Sequence, residues 1–201
     1  MRTKYKPWAK PFLEEHLEVQ LSDEKIASLD NIYLEIGAGK GHFLIEMAKK
    51  YPDRFFVGIE KNLTCSGFIA KKLVEEQLPN AYLVYGDAEK VLDILKEKTV
   101  KIIYLNFSDP WPKVRHHKRR LTSERFGPLY KKVLKDDGYI IQKTDNIDLF
   151  EFSIENFNTQ GFEIYDINRD YILEDSDVMT EYEESFRQAG NKIYRMKVRK
   201  K

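Results

Sequence analysis

The chain has 201 residues, enough for one large domain to bury a continuous core without disulfides or metals. A hydrophobic fraction of 42% and a charged fraction of 33% fit a globular protein with a heavily charged surface, and no run approaches the ~18 apolar residues of a membrane helix, so no membrane partner is expected. With 34 basic and 33 acidic residues the net charge is +1, so only the distribution of charge, not its total, can point to a nucleic-acid partner.

That distribution is uneven. Bases crowd into residues 1–10 and 113–120, whereas residues 174–184 hold Glu174, Asp175, Asp177, Glu181, Glu183 and Glu184 with no base among them. Cys65 is the one cysteine, so no internal disulfide can form, and no Cys/His grouping has zinc-ligand spacing; no metal is expected. The basic N-terminus lacks the apolar stretch and small-residue cleavage site of a secretory signal, so the expected location is the cytoplasm.

Residues 1–20 carry Arg2, Lys4, Lys6 and Lys10 around Tyr5 and Trp8, broken by Pro7 and Pro11, with no helical or strand period. They read as a flexible basic arm, either a frayed terminus or an arm that meets phosphates. Residues 21–201 read as a single domain without repeats. Within it the pattern predicts a strand over 32–36, a helix over 42–50, a strand over 55–60, a helix over 65–77, a strand over 81–85, a short helix after Asp87 and a strand over 100–107. Strands joined by helical crossovers imply a parallel sheet. A helix over 123–134, a turn at 136–138, a strand over 139–143 and a helix over 147–159 follow. The remainder reads as a strand after Gly161, the acidic segment and a strand over 192–198, the last two strands forming an antiparallel hairpin at one sheet edge.

The first strand ends in Glu35-Ile36-Gly37-Ala38-Gly39-Lys40-Gly41, where glycines let a ligand approach backbone N–H groups. A tight structural turn would look the same. The dinucleotide fingerprint needs a glycine where His42 stands, and the G-x-G-x-G spacing resembles instead class I methyltransferases that use S-adenosylmethionine. Glu60 ends the second strand, where a carboxylate can accept ribose hydroxyls, and Gly86-Asp87-Ala88 follows the third. Each acid alone reads as a helix cap or a solvated strand end. Together Glu35, Glu60 and Asp87 make an anionic ring that suits a sulfonium and repels a pyrophosphate.

After the fourth strand comes Asn106-Phe107-Ser108-Asp109-Pro110-Trp111-Pro112-Lys113, running into Arg115-His116-His117-Lys118-Arg119-Arg120. Proline restricts itself and biases the preceding residue to extended conformations, so Asp109 and Trp111 are expected in a stiff non-helical loop. This loop, with Glu35 to Gly41, Gly58 to Glu60, Lys143-Thr144-Asp145 and Thr180-Glu181-Tyr182-Glu183, resembles the tRNA (guanine-N7)-methyltransferase family over nearly the whole chain. Ser108 stands where that family more often has proline.

The resemblance implies an α/β, Rossmann-like class I methyltransferase fold: a mostly parallel seven-stranded sheet with one antiparallel strand near the C-terminus and helices on both faces. It implies methyl transfer from S-adenosylmethionine to N7 of guanosine at tRNA position 46, in the variable loop. Glu35, Gly37, Gly39, Gly41, Glu60, Asp87, Ala88, Asn106 and Asp109 would hold the donor, with Asp109 also the catalytic group. Lys113, Asp145, Thr180, Glu181, Tyr182 and Glu183 would hold the guanosine, the carboxylates accepting from its N–H donors. Arg115, His116, His117, Lys118, Arg119 and Arg120 would meet tRNA, through phosphates or, for the histidines, stacking. Solvated faces are the plain alternatives for the acidic and basic runs. Two other functions fit the residues: methylation of an exocyclic amine, since Asp-Pro-Trp partly resembles the loop of amino-methyltransferases, and a non-catalytic RNA-binding module with a vestigial donor pocket. Monomer and homodimer both remain open.

Overall fold

A computed structural model describes residues 3–201. Its strands are β1 (Ile32–Ile36), β2 (Phe55–Glu60), β3 (Ala81–Tyr85), β4 (Val100–Asn106), β5 (Leu134–Thr144), β6 (Phe162–Asn168) and β7 (Tyr194–Lys200). They form one sheet in the order β3-β2-β1-β4-β5-β7-β6. β1 to β5 pair in parallel, and β7 runs antiparallel to both β5 and β6. The expected single reversed strand is therefore β7. With β6 it forms the expected antiparallel pair at one sheet edge, β7 lying between β5 and β6 and β6 outermost.

The helices are α1 (Ala9–Glu15), α2 (Asp23–Ser28), α3 (His42–Lys50), α4 (Leu63–Glu76), α5 (Ala88–Ile94), α6 (Gly127–Val133), α7 (Ile147–Thr159) and α8 (Glu181–Gln188). Alternation along each strand feeds two cores. Ile32, Leu34 and Ile36 of β1 pack with Val91 and Leu92 of α5, Tyr130 of α6 and Phe150 and Phe157 of α7. Tyr33 of β1 and Ile102 and Tyr104 of β4 face the other way, against Phe43, Leu44 and Met47 of α3 and Ile69 of α4. Side chains cap the helices that matter for the site: Asn62 accepts from the Cys65 N–H at 3.1 Å, Asp87 from Glu89 at 3.0 Å, Asn146 from Leu149 at 2.8 Å and Thr180 from Glu183 at 2.9 Å.

Four expectations need correction. The flexible arm over 1–20 is shorter than expected: α1 and a following 3-10 turn (Leu17–Val19) lie within it, while its share at Met1 and Arg2 lies outside the described residues. Tertiary packing, which no local period announces, orders this stretch. Ala9 is fully buried against Gly67, where an added Cβ would lie 2.5 Å from the Ala9 Cβ, and the Trp8 ring meets Phe68 edge-on at 5.1 Å. The helix expected over 123–134 begins only at Gly127, with Pro128 in its first turn. The turn at 136–138 is absorbed into β5, which starts at Leu134 and shifts register against β4 between Val100 and Ile102. The acidic segment, given no element above, carries α8.

Candidate active site

The carboxyl ends of β1 and β4 build a small open pocket. The glycine loop from Gly37 to Lys40 forms one side, Glu35 and Asn106 reach in from the strands, and Thr180, Glu181 and Tyr182 close it from the start of α8. Strand parity makes this possible. Glu35 and Asn106 share the sheet face of Tyr33 and Tyr104, so the Asn106 Nδ2 donates to the Glu35 Oε1 at 3.0 Å. Glu35 is 4% exposed, and its Oε2, like the Asn106 Oδ1, is buried without a hydrogen-bond partner among the described residues. Burial pushes the Glu35 carboxyl up to about 7, offset in part by the Asn106 bond and the charge of Lys143. Two orphaned acceptors in one polar pocket are what a ligand carrying N–H donors or positive charge would satisfy.

Glu60 supports the loop. Its Oε2 accepts from the Gly39 N–H at 2.9 Å and its Oε1 from the Asn62 N–H at 2.7 Å, while burial raises its carboxyl above the usual range. Gly41 turns the chain into α3 at φ +78°, and a Cβ there would lie 2.9 Å from the Ile69 Cγ1, so both conformation and space require glycine. Asp87 and Ala88 stand at the neighbouring strand end, outside this pocket; Asp87 is exposed and caps α5.

Asp109 is exposed on the loop beyond β4 and does not line the pocket. The loop is strained on both sides of it, with Phe107 at φ 49° and Trp111 at φ 42°. Trp111 thus departs from the extended conformation expected before Pro112. The Phe107 N–H donates to the Lys143 carbonyl at 2.8 Å and its ring meets Phe186 of α8 at 5.7 Å; the Trp111 ring has His116 at 5.8 Å and the Arg119 guanidinium at 5.0 Å. These contacts hold a backbone that non-glycine residues rarely adopt.

The residues expected to hold the guanosine separate into two groups. Asp145 sits half-buried at the end of β5, its carboxyl raised by burial. Thr180, Glu181 and Tyr182 line the pocket, with Glu181 turned to Lys40 at 3.3 Å and Lys72 at 3.4 Å. Glu183 is corrected: it is fully buried, its Oε2 accepts from the Lys143 Nζ at 2.9 Å and its Oε1 from the Arg187 Nη2 at 2.7 Å, so neither oxygen is open to a base. Lys143, 1% exposed, also donates to Asp177 at 2.8 Å, which fastens the acidic segment to β5. The basic run divides as well. Lys113, Arg115, Lys118 and Arg119 are exposed, His116 and His117 half-buried, and Arg120 only 3% exposed with its Nε donating to the Pro110 carbonyl at 2.7 Å, so Arg120 is not placed as a phosphate contact.

The sequence reading missed Lys40, His42 and Phe43 as pocket residues and α8 as an element. The spacing Thr180-x-x-Glu183 is a capping-box pattern that could have announced the helix.

A glycine loop between β1 and α3, acids at successive strand ends and a sheet with its last strand reversed define a class I S-adenosylmethionine-dependent methyltransferase. A family model described as "Putative methyltransferase" matches residues 30–196. A tRNA (guanine-N(7)-)-methyltransferase of Oceanobacillus iheyensis is 43% identical over 208 residues, covering 98% of each chain, and one of Macrococcus caseolyticus is 41% identical, covering 99% of this chain and 100% of its own. The chain belongs to the tRNA (guanine-N7)-methyltransferase family. Solved structures share the fold at lower identity: an aminoglycoside resistance methyltransferase with a TM-score of 0.63, 17% identical over 90% of this chain and 95% of its own, and the precorrin-6y C5,15-methyltransferase of Geobacter metallireducens with a TM-score of 0.60, 19% identical over 96% and 86%.

Proposed function

We propose that this enzyme methylates N7 of guanosine at position 46, in the variable loop of tRNA, in the cytoplasm, with S-adenosylmethionine as donor and without a metal. The observation that carries the reading is the pair of orphaned acceptors, Glu35 Oε2 and Asn106 Oδ1, in a glycine-walled pocket whose strand β4 continues into the Asp109 loop and the exposed bases. When bound, S-adenosylmethionine supplies an electrophilic methyl group on a cationic sulfur. Glu35 and Asn106 would accept from the donor's ammonium end, the N–H groups from Gly37 to Gly41 would approach it closely, and Glu60, with Asp87 and Ala88 beyond it, would meet its nucleoside.

Guanine N7 carries an in-plane lone pair and no proton, so the chain need supply no general base. Alignment of the two reactants supplies most of the acceleration. Methylation leaves the purine cationic, and the Asp109 carboxylate, held on its strained loop, would stabilise that charge as it develops. Lys113 and the exposed Arg115, Lys118 and Arg119 would hold tRNA phosphates. Asp145, Thr180, Glu181 and Tyr182 stand nearest to receive the nucleoside.

Incubation with labelled donor and tRNA should yield label at a site cleaved by borohydride and aniline, and a transcript with the position-46 guanosine replaced should yield none. Label that stays resistant to that cleavage would overturn the assignment.

A further inference from the structure

The donor pocket and the Asp109 loop come from different parts of the chain, and α8 touches both. Glu181, in its first turn, reaches Lys40 of the glycine loop at 3.3 Å and Lys72 of α4 at 3.4 Å. Tyr182 packs against the same loop, its ring 3.9 Å from where a Cβ on Gly39 would stand. Phe186 follows four residues later on the same face of the helix and meets the ring of Phe107, with centroids 5.7 Å apart and planes at 32°. Between them Glu183, fully buried, ties the helix to Lys143 of β5 at 2.9 Å.

Phe107 is the first residue past β4 and stands two before Asp109, so its backbone decides the course of the loop. At φ 49° it holds a conformation that a bulky residue adopts only where its surroundings impose it. Its N–H donates to the Lys143 carbonyl at 2.8 Å, which prolongs the pairing of β4 with β5 by one residue; an alanine would do the same. The contact with Phe186 is different, because it needs the side chain. Both rings are half-buried and lie outside the two cores, so the pair can be altered without opening either. Phe107 also lines the donor pocket, which puts the ring contact beside both reactants.

We propose that Phe186 is a positioning residue for methyl transfer: its ring holds Phe107 in the left-handed conformation and thereby aims the Asp109 carboxylate. The proposal rests on the role given to Asp109 above and adds the residue that sets its place. The helix that closes the donor pocket through Glu181 and Tyr182 then also fixes the loop that serves the acceptor, so one element registers the two against each other.

The test measures the single-turnover rate at saturating S-adenosylmethionine and tRNA. Phe186→Ala should lower that rate by about 10- to 100-fold, the cost of a misplaced group, while donor affinity by calorimetry and tRNA affinity by anisotropy stay within about 2-fold of the parent. Phe186→Tyr keeps the ring and should restore most of the rate. The decisive arm repeats Phe186→Ala in an Asp109→Ala background, where no carboxylate is left to aim and the change should cost nothing further. If Phe186→Ala melts below the assay temperature, Phe186→Leu, which keeps apolar bulk without the ring, takes its place in both backgrounds. A rate within about 2-fold of the parent, or the same fold-loss with and without Asp109, overturns the proposal. Parent-like turnover by Asp109→Ala alone strikes the role given to Asp109 and this proposal with it, and absence of aniline-cleavable product from the parent enzyme strikes the guanine-N7 reading itself.

Discussion

Glu35 links the chemistry of one side chain to a pH dependence with a definite sign. Its carboxyl sits at about 7 in the fold against an ordinary value of 4.5, so between these values the unfolded chain is ionised while the fold keeps the proton. This contribution to stability is fully present below pH 4.5 and is lost as pH rises through 7. A cationic ligand favours the carboxylate, so binding below pH 7 should expel the proton. Calorimetry of S-adenosylmethionine binding at pH 6, in buffers of different ionisation enthalpy, should report release of about one proton, falling to near zero at pH 8. Glu35→Gln should abolish the difference; equal release by the variant would remove Glu35 from the donor site. At Asp109 the expectation concerns turnover. Asp109→Ala should lower kcat by about 100-fold with tRNA affinity unchanged, as for the loss of a charge that acts on the transition state. Single-turnover rates within a few-fold of the parent would leave Asp109 without that role.

At the scale of elements, α8 shows why part of the site was legible in the sequence and part was not. Glu35, the glycines and Asn106 are close in the chain to strand ends, and parallel βα alternation alone brings strand ends together. Glu183 is different: its partner Lys143 lies 40 residues away on β5, and only the fold shows that the acid neutralises a buried lysine and does not face solvent. The same holds for α1, fixed by a glycine on α4, and for Trp111, whose left-handed backbone overrides the pre-proline preference. The latch of α8 makes a stability prediction. Lys143→Met leaves Asp177 and Glu183 without their common cation and should cost about 3 to 5 kcal/mol in urea unfolding. Thr180→Ala removes only a cap and should cost about 1 kcal/mol. A loss below 1 kcal/mol for Lys143→Met would mean that the segment is held chiefly by other contacts.

For the whole molecule, near-neutral charge coexists with a local cationic face, so tRNA affinity should be steeply salt-dependent even though the total charge is +1. Replacing Arg115 or Lys118 by Ala should each reduce the slope of log K against log salt by about 1 in anisotropy titrations. Identical slopes for parent and variants would move the phosphate contacts elsewhere.

The position of β7 bears on how the chain is made. It is the last strand in sequence, yet it pairs on both sides, with β5 and with β6. While the polypeptide emerges from a ribosome, β6 has nothing to pair with and β5 keeps an open edge until residues 194–200 arrive. Acquisition of the native sheet is therefore a late, concerted event, and a nascent chain halted before Tyr194 should stay protease-sensitive in β6 although β1 to β4 are already protected.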